Sequence, residues 1–233
     1  MITGVSAGGM ATYQWVEYLY QQTKTSKVYG IPDSGLFLID FYSPIVDEKV
    51  VRVRAEHLLG LVGDDKNELP KPVQECFNEI GDLTNCYDAS NYAKYITAPF
   101  LMIQSTYDEW VLENLLVIQC LTNRNPPNSI KYCNDTTRAV IEDYREKVIK
   151  AIYKIREDKK ERGIWGPACI QHGFSDESSF TSAKYEVPTG KGLKIYEAVG
   201  KFLANPEEAP WLLDEGQWPS SNTGCNGLRN LVS

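Results

Sequence analysis

The segment Gly4-Val5-Ser6-Ala7-Gly8 constrains the fold of this chain more than any other part of the sequence. It matches the pattern G-x-S-x-G, in which a serine lies on a sharp turn between a strand and a helix. Small residues two positions before and after the serine let the strand and the helix approach each other without a clash. We therefore predict a strand over residues 1–5 and a helix over residues 8–23, with the Ser6 hydroxyl projecting free of the sheet.

Apolar runs that suit strands alternate with segments of helical periodicity along the rest of the chain. Further strands are predicted at 27–31, 100–104 and 164–170, and further helices at 48–61, 109–121, 136–157 and 191–203. Residues 70–95 are predicted to be loop-rich, and residues 205–233 to form an irregular C-terminal cover. This alternation predicts an α/β fold around a mostly parallel sheet, and 233 residues suit a single domain.

Composition and charge exclude several classes of partner. The net charge of −7 argues against nucleic acid, because an acidic surface repels phosphate backbones. No apolar run approaches the roughly 20 residues that a membrane helix needs, so no membrane span is expected. The chain has only two histidines and no CxxC pair, so we expect no structural zinc site.

The six cysteines point to an oxidising compartment, because their number is even and their spacing does not suit a metal. Buried, reduced thiols in a cytosolic protein are the alternative. Asn134-Asp135-Thr136 is a glycosylation sequon. The first residues lack the charged and apolar regions of a signal peptide. We therefore expect the natural N-terminus to lie upstream of Met1.

A serine nucleophile needs a base, most often a histidine. His57 lies in a charged segment and is interpreted as an exposed surface residue. His172 follows the strand predicted at 164–170, which is where the histidine of an α/β-hydrolase triad is found. We predict that His172 is the base, with a structural histidine as the alternative.

The acid of the triad should lie between Ser6 and His172, because this fold orders its triad as serine, acid, histidine. The apolar strand predicted at 100–104 runs into a loop that ends at Asp108. Catalytic groups gather at the carboxyl ends of strands in open α/β sheets. We predict Asp108 as the acid. Glu109 is the competing acid, and helix capping is the alternative role of Asp108.

Five separated segments resemble the pectin acetylesterase family, which includes the Notum carboxylesterases. The segments are Gly4-Val5-Ser6-Ala7-Gly8-Gly9, Asp33-Ser34-Gly35-Leu36-Phe37, Cys76 with Cys86, Tyr107-Asp108-Glu109 and Pro167-Ala168-Cys169-Ile170-Gln171-His172. They resemble the family's G-x-S-A-G-G elbow, its D-[SA]-G-[WF]-F segment, its paired cysteines, its [YF]-D-x acid segment and its A-C-x-x-H segment. The match covers residues 1–175 in the correct order, which makes it more specific than any single motif.

The resemblance implies an α/β-hydrolase-type fold and the hydrolysis of an O-acyl ester, in the first place O-acetyl. The ester would be on a polysaccharide, a glycoconjugate or an acylated protein. Ser6 would attack the carbonyl, His172 would accept the proton, Asp108 would hold the imidazole, and the Ala7 amide would donate to the oxyanion. No cofactor and no metal would be needed, and the protein would be secreted or lie in the lumen of the secretory pathway.

The resemblance also implies a disulfide between Cys76 and Cys86. The pairing of the other four cysteines, Cys120, Cys133, Cys169 and Cys225, stays open. A turn at Pro126-Pro127 favours Cys120 with Cys133.

The front of the chain departs from the family pattern, in which a signal peptide and several strands precede the elbow. Those strands carry a Gly-Gly-Trp-like segment whose amides complete the oxyanion hole. We therefore expect a partial α/β-hydrolase domain over residues 1–233 that lacks its N-terminal strands. Its free strand edge near Val5 could be covered by a neighbouring chain. An inactive relative serving as a structural or binding subunit is the alternative function, and an acyltransferase with the same triad is the third.

Overall fold

The architecture is a parallel sheet with helices on both faces. The computed structural model describes residues 1–23, 25–39, 41, 53, 69–122, 130–182, 185–188 and 192–217. Within these residues, five strands form one sheet in the order β1-β2-β3-β4-β5, and every neighbouring pair is parallel. The strands are β1 (Ile2–Val5), β2 (Gly30–Asp33), β3 (Phe100–Ile103), β4 (Arg162–Gly166) and β5 (Trp211–Leu213). The predicted α/β fold with an α/β-hydrolase-type sheet is confirmed.

Helices connect the strands. In the described part of the chain the α-helices are α1 (Ala7–Gln22), α2 (Lys71–Ile80), α3 (Ala89–Tyr92), α4 (Gln119–Thr122), α5 (Asp135–Arg156), α6 (Glu177–Phe180) and α7 (Ile195–Ala204). Short 3-10 turns lie at Asn85–Tyr87, Ala93–Tyr95, Ile130–Tyr132 and Pro206–Glu208, and a π-helical turn covers Val111–Leu115. None of the described helices is both long enough and apolar enough to cross a membrane.

The strand β3 shows how the two faces of the sheet are buried. Phe100 and Met102 pack in one hydrophobic cluster with residues of α1, α2 and α5, whereas Leu101 and Ile103 pack in a second cluster with residues of α7. All four side chains are buried. Because both faces of a parallel sheet are covered, such a strand is continuously apolar rather than alternating. This is why residues 100–104 are so clear a strand in the sequence.

The helix predicted at 136–157 is confirmed as α5. Asn134 caps it, because its side-chain oxygen accepts a hydrogen bond from the Thr137 N–H at 2.8 Å. One apolar stripe, which includes Val148 and Ile152, is buried against the sheet side of the core. The helix predicted at 191–203 corresponds to α7. The helix predicted at 48–61 lies outside the described residues apart from Val53, and so does His57.

The strand β1 lies at one edge of the sheet. Among the described residues it pairs only with β2. Val5 is 41% exposed, and the neighbouring helix α1 exposes Trp15 and Tyr18. The free strand edge expected near Val5 is therefore present in the described part of the chain. A neighbouring chain that covers it stays a prediction.

The strand β2 begins and ends later than the predicted strand at 27–31, and it includes Pro32. Proline supplies no N–H to a sheet. Pairing with β3 occurs at Gly30 and Asp33, on either side of the proline. The Gly30 N–H donates to Pro99 and the Ser34 N–H donates to Ile103, so the strand loses a single bond and continues.

Residues 70–95, predicted to be loop-rich, contain α2 and α3, so that prediction is wrong. Pro72 lies in the first turn of α2, where a missing N–H costs nothing. Gly81 ends α2 in the left-handed conformation, with φ at 75°. Val73 and Cys76 bury one side of α2 in the core. The proline and the glycine therefore mark the two ends of a helix.

The helix predicted at 109–121 is interrupted. It begins at Glu109, widens into the π-helical turn Val111–Leu115 and stops before Val117, whose φ is 53°. A β-branched residue with positive φ cannot continue an α-helix. The chain becomes helical again only at α4, so the prediction of one continuous helix is wrong.

The irregular cover predicted for residues 205–233 is wrong at 211–213, which form β5. This strand pairs with β4 at Ile164, Trp165 and Gly166. The Arg156 guanidinium also lies 4.1 Å from the ring centre of Trp211. Three residues are too short to show a period of two in the sequence. Residues beyond 217 lie outside the described part.

Two disulfides join short helical segments between the strands. Cys76 bonds to Cys86 with a Cα–Cα distance of 5.7 Å, and Cys120 bonds to Cys133 with a Cα–Cα distance of 5.3 Å. Both predicted pairs are confirmed. Cys169 is disulfide-bonded as well.

Candidate active site

Ser6 occupies the turn between β1 and α1 in a strained conformation. Its φ is 60° and its ψ is −119°, a region that non-glycine residues adopt at a cost of about 1–3 kcal/mol. Its N–H donates to the Asp33 carbonyl at 2.9 Å, and its own carbonyl accepts from the Met10 N–H at 3.0 Å. The hydroxyl does not cap α1. The main chain of Ser6 is therefore held on both sides while its hydroxyl is left for another partner, as a nucleophile elbow requires.

Glycines around the elbow allow backbone segments to touch. A Cβ on Gly4 would lie 2.5 Å from the Gly8 carbonyl oxygen, and one on Gly9 would lie 2.4 Å from the Asp33 carbonyl oxygen. A Cβ on Gly8 would meet nothing within 4 Å. The predicted need for a small residue before the serine is confirmed at Gly4. After the serine, the position that has no room for a side chain is Gly9 and not Gly8.

Ala7, the predicted oxyanion donor, is the first residue of α1 and is exposed. The first amides of a helix have no partner within the helix, and the N-terminal end of the helix dipole favours negative charge. An oxyanion beside Ser6 would meet both features. The oxyanion role of the Ala7 amide stays a prediction.

His172 and Asp108 are joined by hydrogen bonds. His172 Nδ1 lies 2.9 Å from Asp108 Oδ1 and 3.0 Å from Oδ2. The carboxylate is fully buried and also accepts from the Val111 N–H at 3.2 Å and from the Gln104 side-chain amide at 3.1 Å. An ionised carboxylate only accepts, so Nδ1 carries the imidazole proton and Nε2 keeps its lone pair. Asp108 thus caps the helical segment after it and also holds the His172 imidazole. Its role as the acid of the triad stays a prediction.

The surroundings of His172 act on its basicity in opposite directions. Burial lowers the pKa of His172, whereas the hydrogen bond and the charge of Asp108 raise it, and the charges of Asp33 and Glu109 add to that rise. The net result is a pKa above the ordinary histidine value. Two aromatic rings contribute to the burial, because the centres of Phe37 and Trp110 lie 6.3 and 6.1 Å from the centre of the imidazole.

The loop that carries His172 returns across the sheet to the elbow. It follows β4, which ends at Gly166 and not at the predicted residue 170; Ile170 forms only an isolated bridge with Tyr107. Gly173 lies against β1, because a Cβ on it would be 3.1 Å from Val5 Cγ1. The loop that carries His172 and the turn at Ser6 therefore lie beside each other at the carboxyl edge of the sheet.

The predicted hydrogen bond between Ser6 and His172 is not formed in the described part of the chain. There, His172 Nε2 is buried and has no hydrogen-bond partner. In unliganded sites, such catalytic bonds often tighten only when substrate is bound. Of the two predicted links of the triad, the one between His172 and Asp108 is present.

Three residues to which the sequence assigned no role in the site support it. Gln104 is buried and bridges two segments, since its oxygen accepts the Leu36 N–H at 3.1 Å while its amide donates to Asp108. Asp33 and Ser34 hold the residues that follow His172. Each is a polar residue at or directly after the end of an apolar strand, and that position is the signal that could have found them.

The described residues contain no group of three or more histidine, cysteine or carboxylate side chains that could hold a metal ion. The arrangement of Ser6, His172 and Asp108 offers nucleophilic and acid–base chemistry through side chains alone. That combination suits acyl transfer.

Nearly the whole chain matches one protein family. Residues 1–226 match the family model described as Pectinacetylesterase. Pectin acetylesterase 5 of Arabidopsis thaliana is 25% identical over 217 residues, which cover 88% of this chain and 47% of that protein. Pectin acetylesterase 4 of the same plant is 26% identical over 222 residues, covering 88% and 49%. Pectin acetylesterase 11 is 22% identical over 208 residues, covering 87% and 51%. The chain spans about half the length of these curated relatives.

Proposed function

This chain belongs to the pectinacetylesterase family, and we propose that it is a serine carboxylesterase acting through Ser6, His172 and Asp108. The observation that carries this proposal is the pair of hydrogen bonds from His172 Nδ1 to the buried Asp108 carboxylate. These bonds leave the Nε2 lone pair free on a loop that reaches the strained Ser6 turn.

In the proposed reaction, Ser6 Oγ attacks the ester carbonyl and its proton passes to His172 Nε2. The imidazolium that forms is stabilised by the Asp108 carboxylate at Nδ1. His172 then gives the proton to the leaving alcohol, and an acyl-enzyme remains on Ser6. Water, deprotonated by His172, attacks the acyl-enzyme, and the released carboxylic acid restores Ser6.

The oxyanion of each tetrahedral intermediate would lie at the N-terminus of α1. The Ala7 N–H is the donor that the elbow supplies there. Loss of one such donor costs about 100- to 1,000-fold in rate in other serine hydrolases. The helix dipole adds a second, weaker contribution of the same sign.

The proposed substrate is an O-acyl ester, in the first place O-acetyl, on a polysaccharide or glycoconjugate. The names of the Arabidopsis thaliana relatives, all pectin acetylesterases, support an acetylated pectin as the first polymer to test. An acylated protein is the other substrate class that the resemblance implies. An acidic chain with a net charge of −7 would not be attracted to bare anionic polymer. We therefore propose the neutral acetyl ester itself as the recognised group.

We also propose that the protein resides outside the cell or in the secretory lumen. The Cys76–Cys86 and Cys120–Cys133 disulfides support this localisation, because structural disulfides persist mainly in oxidising compartments. Asn134 is exposed, and its amide nitrogen is not needed for the cap of α5, which uses the side-chain oxygen. A glycan on Asn134 would therefore be compatible with the fold.

The test is hydrolysis of p-nitrophenyl acetate and release of acetate from acetylated pectin, with labelling by a fluorophosphonate probe. Ser6→Ala should lower kcat by at least about 10⁴-fold and abolish labelling. Ser26→Ala is the control, because Ser26 is an exposed serine beyond the far end of α1 from the elbow. Absence of both hydrolysis and Ser6-dependent labelling would contradict the esterase and favour the inactive structural or binding subunit.

A further inference from the structure

Asp33 is a buried carboxylate that ends β2 and accepts hydrogen bonds from four donors. Its Oδ2 atom accepts from the Phe174 N–H at 2.8 Å, the Ser175 N–H at 2.7 Å and the Ser175 hydroxyl at 2.7 Å. Its Oδ1 atom accepts from the Ser34 hydroxyl at 2.9 Å. Burial raises the pKa of Asp33, and the four hydrogen bonds oppose that rise. A carboxylate surrounded only by donors is one that functions ionised.

The main chain of the same residue holds the nucleophile turn. The Asp33 carbonyl accepts the Ser6 N–H at 2.9 Å, and Asp33 lies opposite Val5 in the β1–β2 pairing. One residue is therefore bonded to the elbow through its backbone and to the histidine loop through its side chain.

Ser34 completes the attachment of the loop. Its hydroxyl oxygen accepts the Gly173 N–H at 2.9 Å while its proton goes to Asp33. Its own N–H donates to the Ile103 carbonyl of β3 at 2.8 Å. Three consecutive amides after His172 are thus bound by two adjacent side chains.

The path of the loop explains why such an attachment is needed. His172 follows β4, whereas Ser6 follows β1, and β2 and β3 lie between them. Three strand spacings amount to about 14 Å, so the loop must cross the sheet edge to bring the two groups together. Over β3 it is held by the Thr106–Pro167 and Asp108–His172 hydrogen bonds. Over β2 the loop is held by Asp33 and Ser34.

We propose that Asp33 and Ser34 are positioning residues that set the distance between the Ser6 hydroxyl and His172 Nε2. Their role rests on the proposed esterase function of that pair. They act through the main chain of residues 173–175 and through the Ser6 N–H. A reaction whose geometry is off by about 1 Å can lose about 100-fold in rate.

Glu17 provides a matched control. Its carboxylate is also buried, and it also accepts two backbone amides, from Thr97 at 2.6 Å and Ala98 at 3.1 Å. Those amides precede β3 and therefore lie at the amino ends of the strands, whereas the candidate site lies at their carboxyl ends. Asp33→Asn and Glu17→Gln therefore remove the same charge from similar hydrogen-bond environments in two different places.

The experiment measures kcat and KM for p-nitrophenyl acetate from about pH 5 to pH 9, together with thermal stability, on the full chain. Asp33→Asn should lower kcat about 100-fold with KM changed by less than about threefold. The acid limb of the kcat–pH profile of this variant should move to lower pH. The reason is that the Asp33 charge, which raises the pKa of His172, is lost while the charges of Asp108 and Glu109 remain. Glu17→Gln should lose stability but keep kcat within about twofold.

Ser34→Ala covers the case in which Asp33→Asn does not fold. It removes the hydrogen bond to the Gly173 N–H and one of the four donors to Asp33 but keeps the Asp33 carboxylate, and it should lower kcat about 10-fold. Equal losses of kcat in Glu17→Gln and Asp33→Asn, or an unchanged kcat in Ser34→Ala and Asp33→Asn, would overturn the positioning role.

Amide hydrogen exchange separates this role from the esterase proposal, because it needs no activity. Asp33→Asn should speed exchange at Phe174 and Ser175 by about 10-fold or more, while Glu17→Gln does so at Thr97 and Ala98. If Ser6→Ala leaves hydrolysis unchanged, the esterase proposal fails. Faster exchange at Phe174 in Asp33→Asn would still show that Asp33 holds the loop after His172. Unchanged exchange at Phe174 and Ser175 in Asp33→Asn would show that Asp33 does not hold this loop.

Discussion

Replacing Asp108 by asparagine tests the best-defined hydrogen bonds of the site. The carboxylate accepts from His172 Nδ1–H, the Val111 N–H and the Gln104 side-chain amide. Asparagine offers one acceptor oxygen and one NH₂ donor in the same space. Whichever way the new amide is turned, its NH₂ group faces an N–H donor. Gln104 cannot turn over to relieve this, because its oxygen accepts the Leu36 N–H.

The clash with the Val111 N–H or the Gln104 amide remains, whereas the clash with the imidazole is relieved by moving the His172 proton from Nδ1 to Nε2. That tautomer cannot accept the Ser6 proton. In the serine-protease triad the same change costs about 10⁴-fold in kcat, which corresponds to about 5.4 kcal/mol at 1.36 kcal/mol per tenfold. The imperfectly paired group also costs about 1–3 kcal/mol of folding free energy. We expect Asp108→Asn to show both losses.

The pH dependence should change as well. Burial lowers the pKa of His172, but the hydrogen bond and charge of Asp108, together with the charges of Asp33 and Glu109, raise it above the ordinary histidine value of 6.5. The base works only when unprotonated, so wild-type kcat/KM should fall as the pH drops through a value above 6.5. Without the carboxylate the pKa of His172 falls, and the acid limb of any residual activity should move to lower pH.

The assay is hydrolysis of p-nitrophenyl acetate with circular dichroism to verify folding. Glu109→Gln is the control, because Glu109 is the adjacent and also buried carboxylate, and it should keep kcat within about threefold. An Asp108→Asn enzyme that retains more than about a tenth of the wild-type kcat would refute this reasoning. So would a control that is equally slow, since that result would make Glu109 the acid.

Two further predictions test the fold and the localisation. Gly9→Ala should destabilise the protein by about 3 kcal/mol, because its Cβ would lie 2.4 Å from the Asp33 carbonyl oxygen, whereas Gly8→Ala should be neutral or slightly stabilising in thermal unfolding. Equal melting temperatures for the two would contradict this. Asn134→Asp, expressed through a secretory pathway, should lose the mass of one glycan yet keep its melting temperature, because aspartate still accepts the Thr137 N–H. An unchanged mass would show that the sequon is not used.

The sequence predicts the elements that carry strong local signals. α5 is found at its predicted place because an apolar stripe runs through 22 residues and an asparagine caps the first turn. β3 is found because four apolar residues are buried on both faces. Prolines and glycines are ambiguous by comparison. Pro32 is of a type that favours turns yet lies inside β2, and Pro72 falls in a segment predicted to be loop-rich yet lies in the first turn of α2.

Part of the candidate site can likewise be predicted from the sequence, and part of it cannot. Ser6, Asp108 and His172 follow from the sequence, because the chemistry restricts their residue types and the fold restricts their order. Asp33 lies at the end of a strand, which marks it as a candidate site residue, but the sequence does not identify the groups that its side chain binds. Its side chain binds main-chain amides 141 and 142 positions away, and almost any residue type can supply an amide. Only the three-dimensional path of the loop reveals that contact.

The position of β1 connects stability with catalysis. Among the described residues β1 has β2 as its single neighbour in the sheet. The turn at Ser6 is therefore held by the β1–β2 ladder and by the close contact of Gly9 with Gly35. The histidine loop is held by two residues of the same segment, Asp33 and Ser34. A disturbance of residues 33–35 would therefore displace His172 and Ser6, the proposed base and nucleophile, together. Substitutions elsewhere in the core, such as at Glu17, would lower stability without changing that distance.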